Sequence, residues 1–310
     1  MKNMLITGGT GFVATSLLSH LNSFANLEEY SIFLTMRRSP SEDFIRKFSN
    51  LRIQILIADL TLPWTYEDKF HLLINLAAQG DNEPYSDHAN RIFEMINRNL
   101  IAWAIEKKTL ERIFHASSGA VHGRYHRTPE GSVIQDFNLT NWDKNKFSIT
   151  RRNVENRLIE FQRESNIKLV IGRLFTFAGV DLLMRKNYAI TSFIKEARHS
   201  KKIEIKDSIF TTRSYLAQTD LAEWILRSLQ FQQSLEIINI GSAIPVTLYE
   251  LALFIANETN AKVLFQNNSI GDYYVPEITG NYKEQGLIES IDWKIEAKNM
   301  INLYSRVSAR

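Results

Sequence analysis

The chain has 310 residues, 44% of them hydrophobic and 23% charged, with a formal net charge of +3 at pH 7. That length buries a large α/β core, and a weak, scattered positive charge gives no reason to expect nucleic acid or an anionic membrane as partner. Cysteine is absent, which excludes disulfides, thiolate metal sites and cysteine nucleophiles and suits a reducing compartment.

The elements read in chain order as strand–helix alternation. NMLIT (3–7) is a short buried strand, and FVATSLLSHLNSF (12–24) carries apolar residues on a 3.6 period. YSIFLTM (30–36), IQILIADL (53–60) and HLLINLAA (71–78) predict the next three strands, and a periodic helix spans about 89–107. RIFHASSGAV (112–121), a helix containing NKFSITRRNVE (145–155), and KLVIGRLF (168–175) complete the first half. Continuously apolar strands separated by helices predict a parallel sheet covered on both faces, a doubly wound α/β fold of Rossmann type. After residue 175 the pattern loosens: a helix near 188–199, strand KIEI, a helix near Asp220, strand EIINIG, a helix from about Thr247 and strand KVLFQ. The expected division is a dinucleotide-binding unit over 1–174, rejoined by roughly 210–242, with a smaller discontinuous substrate lobe from 175–209 and 243–310.

No run approaches the roughly 18 apolar residues of a membrane helix. The opening MKNMLITGGTGFV is too short and glycine-broken to read as a signal peptide. A cytoplasmic protein is expected, and the sequons at Asn138, Asn257 and Asn268 then read as chance. Zinc motifs, a nucleophile elbow and paired carboxylates at metal spacing are all missing, so no metal is expected.

TGGTGFVA (7–14) follows the first strand and opens the first helix. Gly8 and Gly11 permit a tight turn and close approach to a pyrophosphate at a helix N-terminus, and Ala14 takes the last glycine position. An NAD site usually places a carboxylate about 20 residues on, for the ribose hydroxyl. Here the second strand ends in LTMRRS, with Arg37 and Arg38. Two guanidinium groups suit a 2′-phosphate, which leans toward NADP over NAD, although a solvated loop would also carry such residues.

TGGTGF, ADL at 58–60, LAA at 76–78, ASSGAVHG at 116–123, RLFTFAG at 173–179, RSYLAQTDLAEWI at 213–225 and NIGS at 239–242 occur in that order over nearly the whole chain. In this the sequence resembles the extended short-chain dehydrogenase/reductases, in the branch of NAD(P)-dependent nucleotide-sugar epimerases, dehydratases and reductases. The resemblance implies that Gly8, Gly9, Gly11, Phe12 and Val13 meet the dinucleotide, with Asp59 and Leu60 at the adenine. Leu76, Ala77, Ala78, Asn97 and Ser117 would complete the cofactor cleft. Ser118 matches the catalytic serine or threonine, Thr176 falls at the substrate, and Arg213 matches the arginine that grips the sugar nucleotide's diphosphate. The implied substrate is a nucleotide-diphosphate sugar, and the implied assembly is a homodimer through the helices at about 89–107 and 147–162. Asp220 is expected to cap the helix that it precedes.

The sequence departs from that pattern in two places. Gly119 and Ala120 follow Ser118, where dehydratases carry an acidic pair, so dehydration is not expected. Phe147 and Arg151 stand where the family has its catalytic tyrosine and lysine, in phase with a matching Glu155 on one helix face. Phenylalanine has no ionisable group, whereas arginine keeps a charge that can hold the nicotinamide ribose. His122, Tyr125, His126, Asp81 and Glu83 are candidate replacement acids, with no choice among them from sequence. Two readings follow: an epimerase or ketoreductase with a displaced acid/base, or a catalytically inactive binder of dinucleotide and nucleotide sugar that acts as sensor or partner.

Overall fold

The computed structural model describes residues 2–23, 30–67, 69–78, 85–136, 142–183, 185, 188–266, 269–278 and 282–308. The first half runs β1 (Lys2–Thr7), α1 (Phe12–Ser23), β2 (Tyr30–Met36), α2 (Glu42–Lys47), β3 (Ile53–Ile57), β4 (Leu72–Asn75), α3 (Asp87–Ile105) and β5 (Arg112–Ser118). A short hairpin, β6 (Arg124–Arg127) and β7 (Val133–Asp136), precedes α4 (Trp142–Arg163) and β8 (Lys168–Leu174). Next come β9 (Phe177–Ala178), α5 (Ala189–Ser200), β10 (Lys202–Ile205), β11 (Thr212–Arg213), β12 (Leu216–Ala217), α6 (Gln218–Ser228) and β13 (Leu235–Ile240). The chain closes with β14 (Val246–Thr247), α7 (Leu248–Thr259), β15 (Lys262–Phe265), β16 (Gly271–Tyr274) and α8 (Trp293–Ser308).

Seven strands form one parallel sheet in the order β3-β2-β1-β4-β5-β8-β13. Strand order reverses between β1 and β4, which opens a crevice at their carboxyl ends where such sheets bind ligands. The period of two along each strand divides the core into two layers. Met4 and Ile6 of β1, Leu72 and Ile74 of β4 and Phe114 of β5 face the layer containing Leu17, Ile194, Trp224 and Met300. Their neighbours Leu5, Leu73 and Ile113 face the layer of Phe93, Leu100, Trp103 and Leu158 from α3 and α4. The doubly wound expectation is met, with both faces of the sheet covered.

A second sheet, ordered β14-β11-β16-β6-β7, stands over the carboxyl ends of the first. Strand pairing thereby cuts across the expected units. Residues 124–136, inside the expected 1–174, join this second sheet, as do Thr212–Arg213 from the expected return segment, while β13 pairs with β8. The hairpin and β16 escape a reading by periodicity because each strand is only four residues long. They are strands because they pair with each other across more than a hundred residues, Tyr125 opposite Tyr273. The third strand ends at Ile57 rather than residue 60, leaving Asp59 and Leu60 on a loop that faces the crevice. Among the described residues no helix is long and apolar enough to cross a membrane.

Candidate active site

The crevice is a single cleft of about 1370 Å³ running from the glycine loop to the second sheet. At its first end Gly8 has φ +71°, and a Cβ there would stand 2.9 Å from the Leu76 carbonyl oxygen, so only glycine lets the loop lie against β4. Gly9 donates to the Thr35 carbonyl at 3.0 Å and Gly11 to that of Gly8 at 2.8 Å. Helix α1 begins at Phe12, and the amides of its first turn have no carbonyl one turn back to bond, which suits an anion. Phe12, Val13, Leu60, Leu76, Ala77 and Ala78 line this end. Thr7 clamps the switch point: its hydroxyl accepts from the Leu76 and Ala77 amides at 3.1 Å and donates to Asn75 Oδ1 at 2.7 Å.

Arg37 lines the cleft, whereas Arg38 is exposed and does not. Asp59 faces the same space, its carboxyl held below the usual range by hydrogen bonds from Thr61 and, secondarily, by the charge of Arg37. Asn97 is fully buried and accepts from Asn75 Nδ2 at 2.9 Å while donating to the Phe93 carbonyl at 2.8 Å. It supports the strand ends from behind instead of touching the cleft.

The other end is built on β5 and α4. Ser118 ends β5 and accepts from the Ala120 amide at 3.2 Å, and the Tyr274 hydroxyl stands 3.2 Å from its oxygen. Tyr274 also donates to the Leu174 carbonyl at 3.1 Å, and burial pushes its phenol up to about 12. Phe147 lines the cleft, with the Tyr85 ring edge-on at 5.1 Å between centroids. The Arg151 guanidinium is sandwiched, 3.6 Å from the Phe147 ring centre and 4.1 Å from that of Phe93, and donates to Asn90 Oδ1 at 2.9 Å. It is 6% exposed and no carboxylate is paired with it among the described residues, so burial draws its pKa down to about 9. The two aromatic faces partly replace the water that it has lost. Glu155, one turn further along α4, accepts from Ser117 at 2.5 Å and from Arg173 Nη2 at 2.7 Å. Ser117 therefore lines the cleft with its hydroxyl already engaged.

The second sheet contributes the far wall. Arg213 donates to Asp272 Oδ2 at 2.7 Å, and Arg124 Nε lies 3.4 Å from the other oxygen of the same carboxylate. Two guanidinium groups thus face the cleft with one carboxylate between them, an arrangement suited to a diphosphate. Thr176 also lines it, its hydroxyl donating to the Ser214 carbonyl. Among the described residues no group of three or more histidine or acidic side chains is placed to hold a metal ion.

The model of the NAD dependent epimerase/dehydratase family matches residues 4–241. The chain belongs to that family. Similar proteins include UDP-glucuronic acid decarboxylase 4 of Arabidopsis thaliana, 23% identical over 287 residues that cover 89% of this chain and 62% of the decarboxylase. The human dTDP-D-glucose 4,6-dehydratase is 21% identical over 324 residues, 98% of this chain and 90% of that one. This chain thus spans about 62% of the length of the plant relative. Among solved structures, the UDP-glucuronic acid 4-epimerase of Bacillus cereus, held with UDP-glucuronic acid and NAD, superposes at a TM-score of 0.76 with 17% identity, covering 98% of this chain and 99% of that one. The UDP-N-acetylglucosamine 4-epimerase of Methanobrevibacter ruminantium M1 reaches 0.78 with 15% identity, covering 100% and 99%. At such identities the superpositions speak for the epimerase-type fold.

Within this epimerase/dehydratase fold, several expected site residues lie elsewhere. His122 stacks on Phe175 at 6.2 Å between ring centroids and bonds Asn239 Oδ1 at 2.8 Å, away from the cleft. Tyr125 and His126 sit in β6, which the second sheet consumes, and neither lines the cleft. Asp81 and Glu83 lie outside the described residues. Asp220 is not the cap of α6, which is Ala217; it falls in the first turn, buried, and accepts from the Ser290 and Ile291 amides at 3.0 and 3.1 Å. Tyr85, Arg124 and Tyr274 are cleft residues that the sequence pattern missed. Tyr85 directly precedes Ser86, the N-cap of α3, and that capping serine was the available signal for a side chain at a helix mouth.

Proposed function

We propose that this family member binds a nicotinamide dinucleotide and a nucleotide-diphosphate sugar in its one large cleft and acts at a sugar carbon as an epimerase or ketoreductase. The observation that carries this reading is the continuity of the cleft: the glycine loop, Arg151, Ser118 and the Arg213–Arg124 pair all line one space. The residues fit the cofactor. Gly8 leaves room for backbone approach, the first turn of α1 offers its amides to an anion, and Arg151 is a buried cation with no carboxylate paired to it among the described residues, set to meet ribose hydroxyls. When bound, the nicotinamide supplies the redox part of the step. The chain's own residues orient the sugar through Ser118, hold the diphosphate through Arg213 and Arg124, and exclude water. Dehydration is disfavoured sterically: a Cβ at Gly119 would stand 2.4 Å from the Phe175 ring, leaving no place for an acidic residue.

Arg37 supports a preference for NADP, because it faces the cleft with its guanidinium exposed, while Arg38 adds nothing to that end. A second reading, a binder without turnover, rests on Phe147, whose ring serves as a platform for the Arg151 cation. A homodimer through α3 and α4 is in keeping with the exposed Ile105 and Ile149 on those helices, and a cytoplasmic location accords with both readings. The deciding experiment is a fluorescence titration with NADPH and NADH, followed by turnover assays on UDP-, dTDP-, CDP- and GDP-sugars. Failure of both dinucleotides to bind would overturn the two readings together. Binding without turnover would select the second.

A further inference from the structure

We infer that Tyr274, paired with Ser118, provides the proton-transferring phenol that position 147 lacks. The inference rests on the nucleotide-sugar reading above and assigns the acid of that same site. Four observations carry it. The Tyr274 hydroxyl lies 3.2 Å from Ser118 Oγ, close enough for a proton relay. Both residues line the same cleft as Phe147 and Arg151. The Tyr274 ring is held against Phe175 at 4.7 Å between centroids and lies 5.9 Å from the Arg213 guanidinium, so its position is set by the packed second sheet. Its strand is anchored as well, since Asp272 two residues earlier is bound by both Arg213 and Arg124.

Three other described phenols line the cleft. Tyr85 is 45% exposed and leans on Phe147, Tyr188 packs against the core layer that holds Ile194, and Tyr273 alternates with Tyr274 to the other face of β16. The Tyr274 hydroxyl, by contrast, is turned to Ser118 and the Leu174 carbonyl. The charged and titratable groups that act on Tyr274 are Arg213 and Tyr85. A phenol is protonated at neutral pH and burial raises its pKa further, so it serves as a donor to a sugar carbonyl oxygen before it is a base. In that direction the Tyr274 hydroxyl hydrogen, donated at rest to the Leu174 carbonyl, turns to the sugar oxygen, and the Tyr274 O–H bond breaks as an O–H bond forms there. The resulting tyrosinate recovers its proton through Ser118 from water. The carbon-centred half of the reaction belongs to the nicotinamide. In the reverse direction each proton movement is inverted.

The test uses the full chain and two independent readouts. First, 3-fluorotyrosine in place of Tyr274 is followed by fluorine NMR while a UDP-, dTDP-, CDP- or GDP-sugar that binds calorimetrically is added. The expected result is a displaced resonance, and an unmoved one at saturation overturns the inference. Second, Tyr274→Phe is expected to lower kcat at least a hundredfold with KM and NAD(P)H affinity changed less than threefold. Tyr125→Phe, in the second sheet and outside the cleft lining, should leave kcat within threefold, and Phe147→Tyr added to Tyr274→Phe should recover a tenth or more of the lost turnover. Wild-type turnover in Tyr274→Phe, or loss confined to Tyr85→Phe, overturns the assignment. So does a wild-type chain that binds both ligands and turns over nothing, an outcome that leaves the binding reading standing. Absence of dinucleotide binding would instead remove the underlying functional reading. If Tyr274→Phe does not fold, Ser118→Ala serves, with the same kcat loss expected and wild-type kcat as the overturning result.

Discussion

The two ends of the cleft are made of different material. At the dinucleotide end the chain relies on backbone: a left-handed Gly8, the amides of the first turn of α1, and a loop clamped by Thr7 to β4. At the reacting end it relies on side chains from distant elements: Ser118 from β5, Phe147 and Arg151 from α4, and Arg213 and Tyr274 from the second sheet. A backbone device tolerates sequence change so long as its glycines stay. A side-chain device changes its chemistry with one substitution, which is the change proposed for position 147.

Several substitutions would break or sharpen that contrast, and the largest effect is expected at the side-chain end. Glu155→Ala removes the buried acceptor of Arg173 and Ser117 and should cost about 3 kcal/mol in urea denaturation, as for other broken buried pairs. At the backbone end, Gly8→Val combines a positive φ with a clash against Leu76. It should lower stability by about 2 kcal/mol and abolish NADPH binding in the fluorescence titration. If binding survives, the glycine loop is not the anchor. Arg151→Met should act in two directions. It relieves a buried, carboxylate-free cation and raises the melting stability of the ligand-free chain by about 1–2 kcal/mol, while dinucleotide affinity falls about tenfold, near 1.4 kcal/mol. A chain destabilised by this change would show that the aromatic sandwich fully repays the burial.

A control lies outside both ends. Burial raises the Glu296 carboxyl from 4.5 to about 7, with the charges of Asp220 and Asp181 adding to the effect. A folded-state pKa above the unfolded one means that the native chain holds the extra proton between about pH 4.5 and 7. Stability therefore falls as pH rises through that window. Glu296→Gln should add about 1–2 kcal/mol at pH 8, discounted for residual hydration, and nothing near pH 4, with cofactor binding unchanged. The smallest effect is expected for Arg37→Ala: about a fivefold to tenfold loss of NADPH affinity, with NADH unaffected, by the same titration. Equal affinities in the wild type would end the NADP preference.

The same contrast explains what was legible in the sequence. The parallel sheet was readable because each of its strands is a run of apolar residues, and TGGTGF announced the turn through its glycines. Position 147 was readable as a departure because Phe147, Arg151 and Glu155 keep helical phase. Asn97 was misplaced because helical period gives a face but not whether that face meets the cleft or the strand ends behind it. His122 and Tyr125 were attractive by proximity to Ser118 along the chain. Gly123, with φ +96°, leads the backbone into β6, where Arg124 still lines the cleft while Tyr125 is paired into the second sheet.

By itself, then, the sequence determined the doubly wound frame, the glycine loop and a phenylalanine in helical phase with Arg151 and Glu155, because local period, glycine conformation and side-chain chemistry are properties of short segments. Only the tertiary structure decided which phenol faces Ser118. Tyr274 is 156 residues away along the chain, and it arrives there through pairing of β16 with β6 and β11, a register that no local pattern encodes.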